Sequence, residues 1–283
     1  VLRLDFSAIS DVGRVRRDNQ DSGYAGPWLL AVCDGVGGAA RGDIASSTAI
    51  GEIRAIDEPP PTGETTDVLL SRVAEGLEQA HVRLGRVVDA DPALNGTSTT
   101  ATVALFDGSR LGFGHVGDSR AYLFRDGELS QLTRDHTFVQ SLIDEGRITE
   151  DEARVHPHKN MILKALDGFQ EVEPDLFVIE LVPGDRVLLC SDGASGVLDD
   201  GRLADILNSG TVDYAAVELV RASLDAGSTD NVTCIVADVV DAATEEDPES
   251  ASLGGTPLIV GAAAEQRRRP GRPVRAGGSL FRG

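Results

Sequence analysis

Apolar positions along residues 1–240 recur in two periods. Short runs at 28–33, 99–106, 111–116, 121–125 and 129–132 are continuous or alternating and are bounded by turn residues, as in strands with one or both faces buried. Runs at 176–182, 186–190 and 232–240 follow the same rule. Asp126-Gly127 predicts a two-residue hairpin, and Pro183-Gly184-Asp185 predicts another between 176–182 and 186–190. Spacings of three and four predict helices over 43–56, 67–88, 138–145 and 213–224. In the second, Val68, Leu69, Val73, Leu77, His81, Leu84 and Val88 form the apolar stripe. Thr149 with Glu152 predicts a capping box that opens a short helix. Hairpin-joined strands make antiparallel sheets, and long helices must cover their outer faces. The fold class is therefore α+β and layered, not doubly wound.

The pattern changes at Asp241. From there on, six acids and six arginines mix with Gly and Pro, which predicts a disordered tail or linker over 241–283 and one folded domain over 1–240. That tail is neutral, so the whole net charge of −20 falls on the folded part. Such an acidic domain is ill suited to nucleic acid or an anionic membrane surface as its main partner. No apolar run approaches the roughly 20 residues of a membrane span, and no secretory pattern opens the chain. The chain starts at Val1, as a piece of a longer protein would. Cys33, Cys190 and Cys234 lie in apolar strand runs without metal-type spacing; small core residues in a reducing cytoplasm are expected.

Four aspartates stand at strand ends beside Gly or Asn: Asp34-Gly35, Gly117-Asp118, Asp192-Gly193 and Asp230-Asn231. A strand end is a rigid support, and glycine admits a close approach of backbone or ligand. Asp-Gly pairs also simply make turns, yet four of them far apart in sequence favour a shared site. Converging carboxylates need a cation, and all-oxygen donors without His or Cys select Mg²⁺ or Mn²⁺ over zinc.

Other chemistries fail on spacing. A cysteine phosphatase needs Arg six residues after its nucleophile, where this chain has Ala39, Gly196 and Val240. The only lysines, Lys159 and Lys164, follow His158 and Leu163, so there is no P-loop. The run Gly35-Val36-Gly37-Gly38-Ala39-Ala40 lacks the third glycine of a dinucleotide fingerprint. Arg134-Asp135-His136 echoes a kinase loop without its companion motifs, and no Gly-x-Ser-x-Gly surrounds Ser119 or Ser191.

Five motifs in order make a resemblance: Arg16-Arg17-Asp18-Asn19-Gln20-Asp21, Asp34-Gly35-Val36-Gly37-Gly38, Gly117-Asp118-Ser119-Arg120, Ser191-Asp192-Gly193 and Asp230-Asn231-Val232-Thr233. Over residues 5–240 the chain resembles the type 2C, metal-dependent Ser/Thr protein phosphatases, above all the bacterial members that counteract Ser/Thr kinases. The stretch 132–149 and the flap-like His156-Pro157-His158-Lys159-Asn160 add to it. The resemblance implies two antiparallel sheets packed face to face as a sandwich between helix pairs. It implies hydrolysis of phosphoserine and phosphothreonine in proteins by water activated on two Mn²⁺ or Mg²⁺ ions. Asp34 would bridge both ions with the Gly35 carbonyl beside it, and Asp192 and Asp230 would complete the first site. Asp21 would orient metal-bound water, Arg16 would clamp the phosphate, and Asp118 would help hold a third, weaker metal.

Three positions depart from that pattern. Gln20 replaces a Glu of some relatives, Val36 replaces a histidine proposed as general acid in animal members, and Gly196 replaces a second aspartate near the third metal. His81 and His136 are expected to be structural and His115 a strand residue, while His156 and His158 flank a loop proline. The expected partners are phosphoproteins, Ser/Thr kinases and their substrates, with no nucleic acid, and the protein itself is expected to be a monomer. The expected location is the cytoplasm, with a membrane tether beyond the chain as the alternative. Competing functions are a regulatory phosphoprotein-binding module with an impaired metal site, and a stress-response phosphatase of an anti-sigma antagonist.

Overall fold

The computed structural model describes residues 1–37, 41–242 and 255–268. Strands β1 (Leu2–Asp11), β7 (Arg120–Arg125), β8 (Glu128–Gln131), β10 (Arg186–Cys190) and β11 (Val232–Asp241) form one sheet in the order β1-β11-β10-β7-β8. The other holds β2 (Asp21–Ala25), β3 (Leu29–Val36), β5 (Ala101–Phe106), β6 (Arg110–Val116), β9 (Asp175–Glu180) and β12 (Leu258–Gly261), in the order β12-β2-β3-β5-β6-β9. The two-residue β4 (Ser98–Thr99) lies beside the end of β3. Every pairing is antiparallel.

Continuous apolar strands are explained by three layers of core. Along β11, Ile235, Ala237 and Val239 join Leu30 and Val32 of β3 in the layer between the sheets. The alternate residues Val232, Cys234 and Val236 face outward under helices α6 (Asp200–Leu207) and α7 (Val212–Asp225). Likewise Leu29, Ala31 and Cys33 face helices α1 (Gly42–Ile53) and α2 (Thr66–Ala90). A period of two thus feeds two cores from each central strand, which is why these runs are mostly apolar on both faces. The result is helix, sheet, sheet, helix.

Local signals act where expected. Asp126 and Gly127 both take positive φ, 52° and 82°, in the two-residue turn between β7 and β8. The capping box is complete: Glu152 N–H donates to Thr149 Oγ1 at 3.2 Å, and Thr149 N–H donates to Glu152 Oε2 at 2.8 Å. It opens α4 (Glu150–Arg154), which follows α3 (Phe138–Asp144). All three cysteines are free and buried.

Two expectations are corrected. Residues 183–185 do not close a hairpin: β9 pairs with β6, whereas β10 pairs with β7 and β11 in the other sheet. The crossing is fixed by buried Asp185, which accepts Val182 N–H at 2.9 Å and the Arg125 guanidinium at 2.7 and 2.6 Å. Nor does 241–283 behave as a tail throughout. Residues 258–261 are strand β12 on the open side of β2, and helix α8 (Ala262–Arg268) packs on α1, because Ile259, Val260 and Ala263 supply enough apolar surface to dock. Residues 243–254 and 269–283, like Gly38, Ala39 and Ala40, lie outside the described residues.

Phe113 is fully buried in the central layer and stacks on Phe177 with ring centroids 4.9 Å apart. Phe113→Ala is expected to lower unfolding free energy by about 3–5 kcal/mol, measured by urea denaturation. A loss under about 1 kcal/mol would mean that the two sheets are not closely packed there.

Candidate functional site

The strand ends carrying the motif aspartates converge at one end of the sandwich. Asp21 on β2 is registered directly against Asp34 on β3. Asp192 opens helix α5 (Asp192–Ser195) just past β10, and Asp230 stands before β11, the neighbour of β10. Asp118 lies where the chain leaves β6 in one sheet for β7 in the other. Asp21 and Asp118 are enclosed, 1% and 7% exposed, while Asp34, Asp192 and Asp230 are only partly buried.

The glycines after the aspartates serve the backbone. A Cβ on Gly35 would overlap the Gly42 and Gln20 carbonyls, and one on Gly193 would overlap the Asn231 carbonyl. Only glycine lets these segments meet so closely.

Neutral groups hold the acidic segments in place. Asp21 Oδ2 accepts Thr233 Oγ1 at 2.7 Å and Ser191 Oγ at 2.8 Å. Asp34 N–H donates to Thr100 Oγ1 at 2.9 Å, and Thr100 Oγ1 lies 2.9 Å from Ser119 Oγ. Asn231, 3% exposed, accepts Gln20 N–H at 2.9 Å and donates to the Val12 and Asp18 carbonyls. Arg16 stands at the rim with its guanidinium 3.0 Å from Asp230 Oδ2.

The electrostatics are unfavourable without a cation. Burial pushes the Asp21 carboxyl up to about 7 against its two hydroxyl donors, with Asp192 and Asp230 adding repulsion. Burial and neighbouring aspartates also push Asp34 and Asp118 well above the carboxylate range. Asp192 is raised by burial and Asp230, with Asp34 and Arg16 opposing. Three other partly or fully buried carboxylates have arginine partners: Asp135 with Arg120, Asp185 with Arg125, Asp238 with Arg186. In the site, Asp21 Oδ1, Asp118 Oδ1 and Asp192 Oδ1 have no hydrogen-bond partner. Among the described residues, no three His, Cys, Asp or Glu side chains close into a ready metal-binding group. The fit to a divalent cation rests instead on these orphaned oxygens, an all-oxygen donor set and uncompensated charge.

Sequence patterns did not reveal several supports. His136 Nδ1 accepts Gly117 N–H at 3.0 Å, so its Nε2 carries the proton facing Asp175 Oδ2 at 2.8 Å, and this fixes the peptide before Asp118. His115 is fully buried, bonded to Thr102 Oγ1 and the Arg134 carbonyl, and its pKa falls to about 4, chiefly through burial. His81 accepts Gly168 N–H, and His156 and His158 both pack their rings edge-on against Phe138. Gly196 donates its N–H to the Asp192 carbonyl at 2.7 Å, so that position helps close the α5 turn.

Gathered like charges predict opposite effects of one substitution. In metal-free protein, Asp192→Asn is expected to leave the melting temperature equal or higher, by relieving repulsion. Mn²⁺ at about 100 times its dissociation constant is expected to add about 2.7 kcal/mol to the wild type, several degrees of melting temperature, and much less to the variant. Scanning fluorimetry with Mn²⁺ and with EDTA reads both; equal metal-induced shifts would remove Asp192 from the cation site.

Known proteins place this arrangement. The Protein phosphatase 2C family matches residues 12–232, from just before Arg16 to the start of β11. Serine/threonine protein phosphatase PstP of Mycobacterium tuberculosis H37Rv is 46% identical over 240 residues, 85% of this chain and 46% of PstP. The chain thus spans about half the length of that relative. Protein phosphatase PhpP of Streptococcus pneumoniae R6 is 32% identical over 254 residues, covering 87% of this chain and 100% of PhpP. The structure of the M. tuberculosis phosphatase PstP/Ppp superposes with a TM-score of 0.80 at 45% identity, covering 84% of this chain and 100% of that one. The PstP catalytic domain in complex with two manganese ions gives 0.79 at 45% identity, over 85% and 100% of the two chains. With the sandwich, the order of the acidic motifs and the matched span in agreement, the chain belongs to the protein phosphatase 2C family.

Proposed function

We propose that this domain hydrolyses phosphoserine and phosphothreonine in proteins and depends on Mn²⁺ or Mg²⁺. The observation that carries the reading is the set of buried aspartate oxygens without partners or arginines, at the one end of the sandwich where the family motifs meet. Asp34, Asp192 and Asp230, with the Gly35 carbonyl, would hold two ions, and Asp118 would contribute to a third. When bound, the ions supply the positive charge that makes water a nucleophile at neutral pH and polarises the phosphoryl oxygens.

The chain's own residues do the rest. Asp21, fixed by Ser191 and Thr233, keeps its free Oδ1 to orient a water by hydrogen bonding. Arg16 is half exposed and reaches Asp230 with one nitrogen, so its fork is placed to exchange that contact for a phosphate. Val36 offers no proton, and His115 and His136 are held in hydrogen bonds of their own, so a proton for the leaving oxygen would come from solvent. The orphaned carboxylates speak against a purely regulatory binding module, which would gain nothing from keeping them unpaired.

The biological setting belongs to the same proposal. The domain acts on phosphoproteins made by Ser/Thr kinases, in the cytoplasm. The three free, buried cysteines support a reducing compartment. No helix among the described residues is long and apolar enough to cross a membrane.

Hydrolysis of p-nitrophenyl phosphate and of a phosphothreonine peptide is expected with Mn²⁺ and not with EDTA. Asp34→Asn, Asp192→Asn and Asp230→Asn are each expected to lower turnover by more than about 100-fold. Near-wild-type activity at moderate Mn²⁺ would reject that residue as a ligand. Arg16→Ala is expected to raise KM by about tenfold and leave kcat less changed, because a clamp on nonreacting oxygens binds ground and transition states alike. A fall in kcat alone would reject the clamp.

A further inference from the structure

Residues 255–268 lie beyond the matched family span, and they return to the strand that carries Asp21. Strand β12 runs antiparallel to β2, with Leu258 opposite Ala25, Ile259 opposite Tyr24, Val260 opposite Gly23 and Gly261 opposite Ser22. This makes β2 an interior strand where it would otherwise be a sheet edge. The side chains alternate as in a true core strand: Ile259 packs on the layer under α1, and Val260 on the layer between the sheets. Gly23 makes the room, since a Cβ there would lie 2.9 Å from Val260 Cγ2.

Helix α8 then locks the strand. Ala262 and Ala263 are 3% and 8% exposed, and Ala263 N–H donates to Ser22 Oγ at 3.1 Å. Ser22 Oγ lies 2.9 Å from Ser46 Oγ, which donates to the Gln20 carbonyl at 2.6 Å. The two residues flanking Asp21 are therefore tied into one hydrogen-bond chain with α8. The closest approach is at Gly261, which turns the chain at φ +73°. A Cβ there would overlap the Asp21 carbonyl oxygen and come within 3.2 Å of Ser10 Oγ. Ser10 Oγ lies 2.7 Å from Thr233 Oγ1, the same hydroxyl that fixes the Asp21 carboxylate.

We propose that residues 255–268 are a positioning clasp for the metal site. By hydrogen-bonding along β2 and seating Gly261 on the Asp21 carbonyl, the segment fixes Asp21 and thereby raises affinity for the divalent ions. No clasp residue touches ion or substrate; it acts through Asp21. The inference rests on the metal-dependent reading above and extends it to a part of the chain that the matched family span does not include.

The test uses the full chain with Gly261→Ala, Val260→Asp and, as control, Gly184→Ala. Gly184 has φ +93° with open space around it, so its alanine variant carries the backbone strain of a positive φ far from Asp21. Two measurements are made: Mn²⁺ affinity by titration calorimetry, and hydrogen exchange of the β2 amides. Gly261→Ala and Val260→Asp are each expected to weaken Mn²⁺ binding by about tenfold and to speed exchange across 22–25. Gly184→Ala is expected to leave both unchanged even where it lowers the melting temperature as much. Unchanged Mn²⁺ affinity in a Val260→Asp protein whose β2 amides exchange freely would overturn the clasp, as would equal weakening in the control. Wild-type protein that binds no Mn²⁺ would overturn the metal-dependent reading instead, while the exchange data would still report whether the segment holds β2.

Discussion

Like charges brought together at the end of a rigid sandwich are the constraint that orders this molecule. Burial raises the resistance of Asp21, Asp34, Asp118 and Asp192 to ionisation, and at each of them a neighbouring aspartate adds repulsion. A flexible frame would relieve that repulsion by letting the strand ends splay. Here the central strands are gripped on both faces, by the layer between the sheets and by the outer layers under α1, α2, α6 and α7. The rigidity of three apolar layers is what allows four carboxylates to be kept where a cation can use them.

The supports are selected to hold geometry without cancelling charge. Hydroxyls of Ser191, Thr233 and Thr100 and the amide of Asn231 fix positions through neutral hydrogen bonds. Arginine pairs instead with Asp185 and Asp238, which are structural, and with Asp135, whose Arg120 partner stands two residues after Asp118. The distinction is chemical: a guanidinium neutralises its carboxylate permanently, and a hydroxyl leaves the charge available. Arg16 stands between the two cases, near enough to Asp230 to pair with it and exposed enough to release it.

Much of this was legible before any coordinates. Strands with both faces buried show as unbroken apolar runs, and the Asp-Gly and Asp-Asn junctions mark their ends. The capping box at Thr149 and the turn at Asp126-Gly127 are local chemistry, so they read directly. What did not read is set by distant partners. Asp21-Ser22-Gly23-Tyr24-Ala25 has the composition of a turn and is a strand because β3 and β12 satisfy its backbone on both sides. The crossing at 183–185 has hairpin residues, and its path is decided by Arg125, sixty positions before Asp185. Residues 255–268 look like linker because they open on glycine, threonine and proline and close on arginines. Their four-residue strand and short helix hold few apolar side chains, each placed against a surface that only the folded domain creates.

That last case changes how the site is bounded. The support of Asp21 comes from strand ends in both sheets: Ser191 after β10, Thr233 on β11, Ser10 on β1 and Gly261 at the end of β12. Three of these lie inside or next to the span that defines the family. The fourth is about thirty residues past it. A carboxylate that keeps one oxygen unpaired needs its backbone held from several directions, because each neutral hydrogen bond contributes only about 1 kcal/mol against the repulsion. Loss of any one support lets the side chain turn toward a partner of its own, and the free oxygen is the first thing lost. What holds Asp21 thus includes β12 and α8, which follow β11 and lie past the span matched by the family.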